Sequence, residues 1–269
     1  MARGVLTVMQ DAHPPRAAYW TLRLGAAACF IGHGAFGVIT KEAWLPYFAF
    51  VGIPAHWAFT LMPVVGAVDI AMGIAVLLSP RPIVLAYMVV WAAWTALLRP
   101  LTGESAFETL ERAGNYGVPL ALLLYTGVPR GWREWFSPSP QPDTSRNLEA
   151  VMRVLLVTTA LLLFGHGALA AQGKPLLASH AAIAGVSPAA LLLVGFAEMS
   201  AALLLLVSPS ATLLVGIAAW KLGTEALFPI AGAPVWEFVE RGGSYAAPLA
   251  LALLLIAHPV RVLTLRRNP

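Results

Sequence analysis

The chain has 269 residues, of which 59% are hydrophobic and only 11% are charged, and its formal net charge is +4. Soluble domains carry about 25% charged residues, so this composition excludes a water-soluble globular protein. The basic residues lie in short segments between apolar runs, which indicates membrane topology and argues against nucleic-acid binding. Together with a mean hydropathy of +0.75, these features predict an integral membrane protein.

Apolar segments predict eight membrane-spanning helices, because a spanning helix needs about 20 mainly apolar residues. In chain order they cover residues 19–40, 57–78, 83–100, 107–128, 151–172, 188–207, 210–228 and 236–257. Prolines at 80, 82 and 209 predict short turns between the second and third helix of each half, since proline does not continue a helix interior. The fold class is therefore an all-α membrane protein with eight transmembrane helices.

The two halves of the chain repeat the same polar residues in the same apolar surroundings. From Gly66 and Gly195 onward, equivalent positions are 129 residues apart without a gap. The repeated residues include Gly32-His33-Gly34 and Gly165-His166-Gly167, Asp69 and Glu198, and Trp91 and Trp220. The repeat predicts two pseudo-symmetric four-helix bundles, 19–128 and 151–257, flanked by an N-terminal segment 1–18, a linker 129–150 and a basic tail 258–269.

Basic residues also predict the orientation, because cytoplasmic flanks are enriched in Lys and Arg. The two termini and the linker are all basic, and four helices per repeat return the chain to its starting side. We therefore expect cytoplasmic termini and a pseudo-two-fold axis along the membrane normal. The linker is proline-rich at 137–142, which favours an extended segment.

Two further features narrow the possibilities for processing and covalent chemistry. The first twenty residues lack a continuous apolar core that ends at a small-residue cleavage site, so no removable signal peptide is expected. Cys29 is the single cysteine of the chain, which excludes an intrachain disulfide and a multi-cysteine metal site.

His33 and His166 are the first candidate site residues, because each lies well inside the first helix of its repeat and is flanked by glycines. Polar groups inside a spanning helix are costly and face a bundle interior or a cavity. One interpretation is a ligand or proton site, with glycines that let a flat ligand or another backbone approach. The other is a structural, neutral imidazole bonded to a neighbouring helix.

Asp69 and Glu198 lie near the middle of the second helices and form a second candidate pair. They are either proton carriers or hydrogen-bonded acids that partner the nearby histidines. A histidine and a carboxylate give only two ligands per repeat, which falls short of a metal site. No metal is predicted.

The fourth helices carry the most specific motif of the sequence, Glu-x-x-Glu-Arg-x-Gly-x-Tyr. Spacings of three and four residues place its members along one side of a helix. One interpretation is an internal ion pair that holds the fourth helix to its neighbours, and the other is a polar pocket that binds an acidic or carbonyl head group of a quinone or lipid. The residues concerned are Glu108, Glu111, Arg112, Tyr116, Glu237, Glu240, Arg241 and Tyr245.

The third helices differ between the repeats, which indicates specialised sites on a shared scaffold. Arg99, Ala96 and Ala92 correspond to Phe228, Glu225 and Lys221. The tryptophans are either ligand walls or the interfacial aromatics that membrane proteins commonly carry, and they are Trp44, Trp91, Trp94 and Trp220.

The glycine-flanked polar position, the acidic second helix and the Glu-Arg-x-Gly-x-Tyr motif together resemble the DoxX-like superfamily of small bacterial membrane proteins, here as a tandem fusion over nearly the whole chain. Members resemble subunits of quinone-linked oxidoreductases, including a thiosulfate:quinone oxidoreductase. The resemblance implies a multi-pass protein of the bacterial inner membrane with a role beside a quinone or in a redox complex. It assigns no catalytic role to His33 or His166.

Three functional hypotheses follow, and all place the chain among membrane lipids. The first is a subunit of a redox or quinone-handling complex with other membrane protein subunits, which contacts quinone or a haem b held by His33 and His166 across the repeats. The second is a non-catalytic scaffold of a larger membrane assembly. The third is a small-solute or proton transporter built on buried His, Asp and Glu.

Overall fold

The computed structural model describes residues 16–139 and 147–258, and all regular structure in these two ranges is helical. Arg3 and the basic tail residues Arg261, Arg266 and Arg267, which supported the orientation, lie outside the described residues, as does the linker segment 140–146. In chain order the helices are α1 (Arg16–Val38), α2 (Leu45–Phe50), α3 (Ala55–Leu78), α4 (Pro82–Leu101), α5 (Phe107–Glu111), α6 (Ala113–Thr126), α7 (Trp132–Phe136), α8 (Leu148–Ala171), α9 (Pro175–Ile183), α10 (Pro188–Val207), α11 (Ala211–Ile230), α12 (Val235–Glu240) and α13 (Gly242–Ala257).

Seven helical segments of the described chain are long and apolar enough to cross a membrane, and they confirm a multi-pass membrane protein. They are α1, α3, α4, α8, α10, α11 and the segment Val235–Ala257 that contains α12 and α13. The eighth predicted span corresponds to α5 and α6 and is not among them. Large apolar side chains such as Leu78, Leu193 and Val207 are mostly exposed, as expected for surfaces that face lipid.

The fourth segment of each repeat contains a break that the sequence did not predict. Helix α5 ends before Arg112, and α12 ends before Arg241, each at non-helical dihedral angles. The hydroxyl of Tyr116 donates to the carbonyl of Thr109 across the first break at 3.1 Å. The hydroxyl of Tyr245 donates to that of Phe238 across the second at 3.3 Å. Each tyrosine therefore stabilises an interrupted helix.

Helices of the two repeats are interleaved in the core. The spans α1 and α8 are the most buried, with 67% of an apolar 18-residue stretch inside the protein against 28% for α3 and α10. Helix α1 packs against α3 of its own repeat and against α12 and α13 of the second, and α8 packs against α10, α5 and α6. The first helix of one repeat thus lies against the fourth segment of the other.

Glycines permit this crosswise contact. A Cβ atom at Gly32 would lie 2.3 Å from the backbone nitrogen of Glu240, and one at Gly165 would lie 2.4 Å from that of Glu111. The space beside each candidate histidine is therefore filled by another backbone. Gly114 and Gly243, at equivalent positions of the two repeats, also meet backbone to backbone.

Short helices also connect the spans. Helices α2 and α9 join the first and second span of each repeat, and α7 lies in the linker that the sequence predicted to be extended. Beyond α7, the backbone nitrogen of Ser139 donates to the carbonyl of Pro80 at 2.8 Å. The start of the linker is therefore held against the turn between α3 and α4.

Candidate functional site

In the first repeat, a histidine, a carboxylate and a tryptophan form one cluster inside the membrane span. The Nδ1 atom of His33 lies 2.7 Å from Oδ2 of Asp69, and the Trp91 indole nitrogen donates to the same oxygen at 3.3 Å. Asp69 is fully buried, and its Oδ1 has no hydrogen-bond partner among the described residues. Close contact between Gly34 and Gly66 brings α1 and α3 together at this level.

The second repeat reproduces the cluster. The Nδ1 atom of His166 lies 2.6 Å from Oε2 of Glu198, and the indole nitrogen of Trp220 donates to Oε1 at 2.5 Å. Gly167 and Gly195 make the matching close contact between α8 and α10. Asp69 and Glu198 are therefore hydrogen-bonded partners of the nearby histidines, which is one of the two interpretations that the sequence left open. Because Nδ1 is engaged in both clusters, Nε2 is the imidazole nitrogen left for a ligand.

Each histidine lines a cavity. The first cavity, of about 330 Å³, is rich in aromatic and charged groups, and His33 stacks on Trp44 with 4.6 Å between ring centroids. Its lining also includes Lys41, Tyr47, Phe48, Val51, Ile53, Leu61, Val65, Trp91, Trp94, Thr95, Leu98, Arg99, Arg112, Asn115, Glu237 and Glu240. Glu237 and Glu240 come from the second repeat, so both repeats build this cavity.

The polar groups of the first cavity are largely paired within the protein. Lys41 contacts Glu237 at 2.6 Å, and Arg99 contacts Glu104 at 3.0 Å. The hydroxyl of Tyr47 also donates to Glu104. Burial raises the pKa of Tyr47 to about 12, so the phenol stays neutral and acts as the donor.

The second cavity, of about 350 Å³, is mainly apolar. His166, His180, Trp220 and Thr224 are its polar side chains, and its remaining lining is Leu177, Ala181, Ala184, Val186, Leu191, Val194, Ala219, Gly223, Leu227 and Phe228. The two cavities occupy equivalent places but differ in chemistry, because Arg99 is replaced by Phe228. Tyr47 and Trp44 of the first cavity likewise correspond to His180 and Leu177 of the second.

His180 is the least expected residue of the second cavity. It is only 4% exposed, and its ring makes an edge-to-face contact with Phe228 at 4.4 Å. Its ring nitrogens make no hydrogen bond within the described ranges. Burial, with the positive charge of Arg241, lowers the pKa of His180. The ring is therefore neutral near pH 7 and has one donor and one acceptor nitrogen.

A network of ion pairs lies between the two cavities. Arg112 contacts Glu108 at 2.7 Å and Glu111 at 3.1 Å, while Arg241 reaches across to Glu111 at 3.1 Å. Arg241 also lies 3.3 Å from Glu225, which pairs with the buried Lys221 at 2.8 Å. The pair of Arg241 and Glu111 joins the fourth segment of the second repeat to that of the first. Of the motif residues, Arg112, Glu237 and Glu240 also line the first cavity.

Several cavity residues were missed from the sequence. Lys41 and Lys174, and Tyr47 and His180, have the same 133-residue spacing as His33 and His166. Extending that spacing beyond the first helix would have found them. The spacing between equivalent residues changes from 133 to 129 between the first and second helices, so the equivalence of these residues was not apparent.

The described residues do not fit a haem shared by the two repeats. His33 and His166 line different cavities, and each is bonded to a carboxylate of its own repeat. The expected space beside the flanking glycines is occupied by the backbones of Glu240 and Glu111. The hypothesis of a haem b between these two histidines is therefore wrong.

We compared the chain with known protein families, curated proteins and solved structures. No family model, no curated protein and no solved structure matches the chain. The function therefore has to be inferred from the two clusters and the cavities beside them.

Proposed function

We propose that this chain is an integral membrane subunit of a redox or quinone-handling complex and binds a quinone or quinol head group beside a His–carboxylate–Trp cluster. The observation that carries the proposal is the repeated cluster itself: an imidazole that lines a cavity and is held through Nδ1 by a buried carboxylate. Both cavities are within the usual size range of ligand sites, about 300–1,000 Å³.

The cluster suits proton exchange with a ring oxygen. When Nδ1–H donates to the carboxylate, neutral Nε2 carries a lone pair and accepts the proton of a quinol hydroxyl. The carboxylate then stabilises the imidazolium, which in the reverse direction donates to a quinone carbonyl. The two electrons and the second proton pass to or from a redox centre and a proton-exchanging group of a partner membrane subunit, so this chain contributes binding and the exchange of one proton.

The proposal includes the finer architecture. We infer eight crossings, with α5 and α6 as the eighth, two repeats around a pseudo-two-fold axis, and cytoplasmic termini in a bacterial inner membrane. The contact between Gly114 and Gly243 supports this arrangement, because equivalent residues meet at a two-fold axis. A tandem DoxX-like protein is the family assignment that accords with the proposal.

The test is equilibrium binding of the naphthoquinone menadione to the full chain in lipid nanodiscs, measured by the ligand retained after rapid filtration. Replacing His33 and His166 together by Phe is expected to weaken binding at least about tenfold, since the hydrogen bonds from both imidazoles to the head group are lost. His56→Phe is the matched control, because His56 is exposed. Undiminished binding by the double variant would refute the proposal.

A non-catalytic scaffold is the second candidate function. It is favoured by the ion-pair network of Arg112, Arg241 and their carboxylates, which joins the repeats without a ligand. The same binding experiment separates the two candidates, because a scaffold binds no menadione through its histidines.

A further inference from the structure

The second cavity presents two histidines to one apolar space. His166 keeps Nε2 for a ligand, and His180 is buried without a hydrogen bond within the described ranges. An imidazole nitrogen that lines a cavity and has no hydrogen-bond partner within the described ranges is available to bond a ligand there. Apart from Trp220 and Thr224, the rest of the cavity lining is apolar.

The first cavity lacks this combination. At the position of His180 it has Tyr47, whose hydroxyl is already bonded to Glu104. At the position of Phe228 it has Arg99, whose charge lies over the Tyr47 ring at 5.6 Å and near Glu104. A neutral apolar ring would therefore lie against charged groups in the first cavity, whereas the second cavity offers it mainly apolar walls.

We propose that the second cavity is the ring site of the protein, and that it holds a neutral six-membered ring with oxygens at opposite ends, one bonded to His166 and the other to His180. This inference rests on the proposed function and assigns it to one of the two cavities. His180 becomes the residue that selects two-oxygen rings, since His166 alone would satisfy a ligand with one oxygen.

Selection follows from hydrogen-bond pairing. A ligand with a single carbonyl leaves one buried imidazole without a partner, and such an unpaired group discriminates against that ligand. A ligand with two opposed carbonyls satisfies both imidazoles. The neutral form of His180 suits this role, because its N–H donates to a carbonyl and its lone pair accepts from a hydroxyl.

The test compares menadione with tetralone, a bicyclic relative that has one carbonyl, on the full chain in nanodiscs. His180→Phe keeps the ring bulk and is expected to weaken menadione binding about tenfold while changing tetralone binding less than about twofold. His180→Gln, which keeps a donor and an acceptor, should recover part of the loss. His56→Phe, at an exposed position outside both cavities, is the control and should leave menadione binding unchanged.

Each other result has one meaning. Equal losses for menadione and tetralone would show that His180 acts through packing and would overturn the inference. Loss of menadione binding in His166→Phe but not in His180→Phe would also overturn it and leave the proposed function standing. Loss in His33→Phe or Tyr47→Phe alone would place the ring in the first cavity. If no histidine variant alters menadione binding, the proposed function itself fails.

Discussion

Lys41 of the first repeat lies 2.6 Å from Glu237 of the second, and Lys174 lies at the same distance from Glu108. Each pair joins the segment after the first helix of one repeat to the fourth segment of the other. The two pairs are therefore equivalent crosswise links, and they accompany the packing of α1 on α12 and of α8 on α5.

We expect Lys41 and Glu237 to be energetically coupled. Their side chains are only 28% and 16% exposed, so the pair is screened less than a surface pair. A double-mutant cycle of Lys41→Met and Glu237→Gln should give a coupling free energy of about 1 kcal/mol or more. The exposed pair of Arg153 and Glu149 is the control, with about 0.3–0.5 kcal/mol expected. Equal coupling in both cycles, measured by unfolding in mixed micelles, would contradict the prediction.

Removal of either central arginine should destabilise the protein strongly. Arg112→Ala and Arg241→Ala each leave a buried Glu111 without one of its partners, at a cost of about 3–5 kcal/mol. The measurement is the free energy of unfolding in detergent, with Arg153→Ala as an exposed control. Unchanged thermal stability in both arginine variants would show that the network does not hold the fold.

Gly114→Ala and Gly243→Ala should each separate the two fourth segments. A Cβ atom at either position would lie within 2.5 Å of the other glycine's backbone, so the helices must shift at a cost of about 1–3 kcal/mol. Gly216→Ala is the matched control, since nothing lies within 4 Å of its added atom. Because alanine is the better helix former, the control should be neutral or slightly stabilising by thermal unfolding. Equal effects at the three positions would argue against the close contact.

The stability of the protein should fall in mildly acid solution partly through His180. Its pKa is below the ordinary 6.5 in the folded state, so the unfolded chain binds the proton first as the pH falls. The contribution of His180 to the stability of the folded state is fully present above about pH 6.5 and is lost as the pH falls below that value. His180→Gln should therefore flatten the decline in melting temperature between about pH 7.5 and pH 5, whereas the exposed His56→Gln should not. An unchanged pH slope in His180→Gln would contradict this assignment.

The sequence by itself determined the membrane class, the repeat and most helix boundaries. Hydropathy is a sum over adjacent residues, and the predicted spans 57–78 and 188–207 match α3 and α10 within two residues. The repeated residues His33 and Asp69 were also identified, because polar groups in an apolar span stand out in any reading of the chain. The linker helix α7 was missed, since nearby prolines favoured an extended segment.

Only the tertiary structure decided which helices meet. Gly32 contacts Glu240, more than two hundred residues along the chain, and no local pattern records that partner. The crosswise packing places Glu237 and Glu240 in the cavity of the other repeat, and it leaves His180 without a hydrogen bond in its own. Local composition determines whether a segment enters the membrane, whereas the partners of its polar groups depend on close backbone contacts between distant segments.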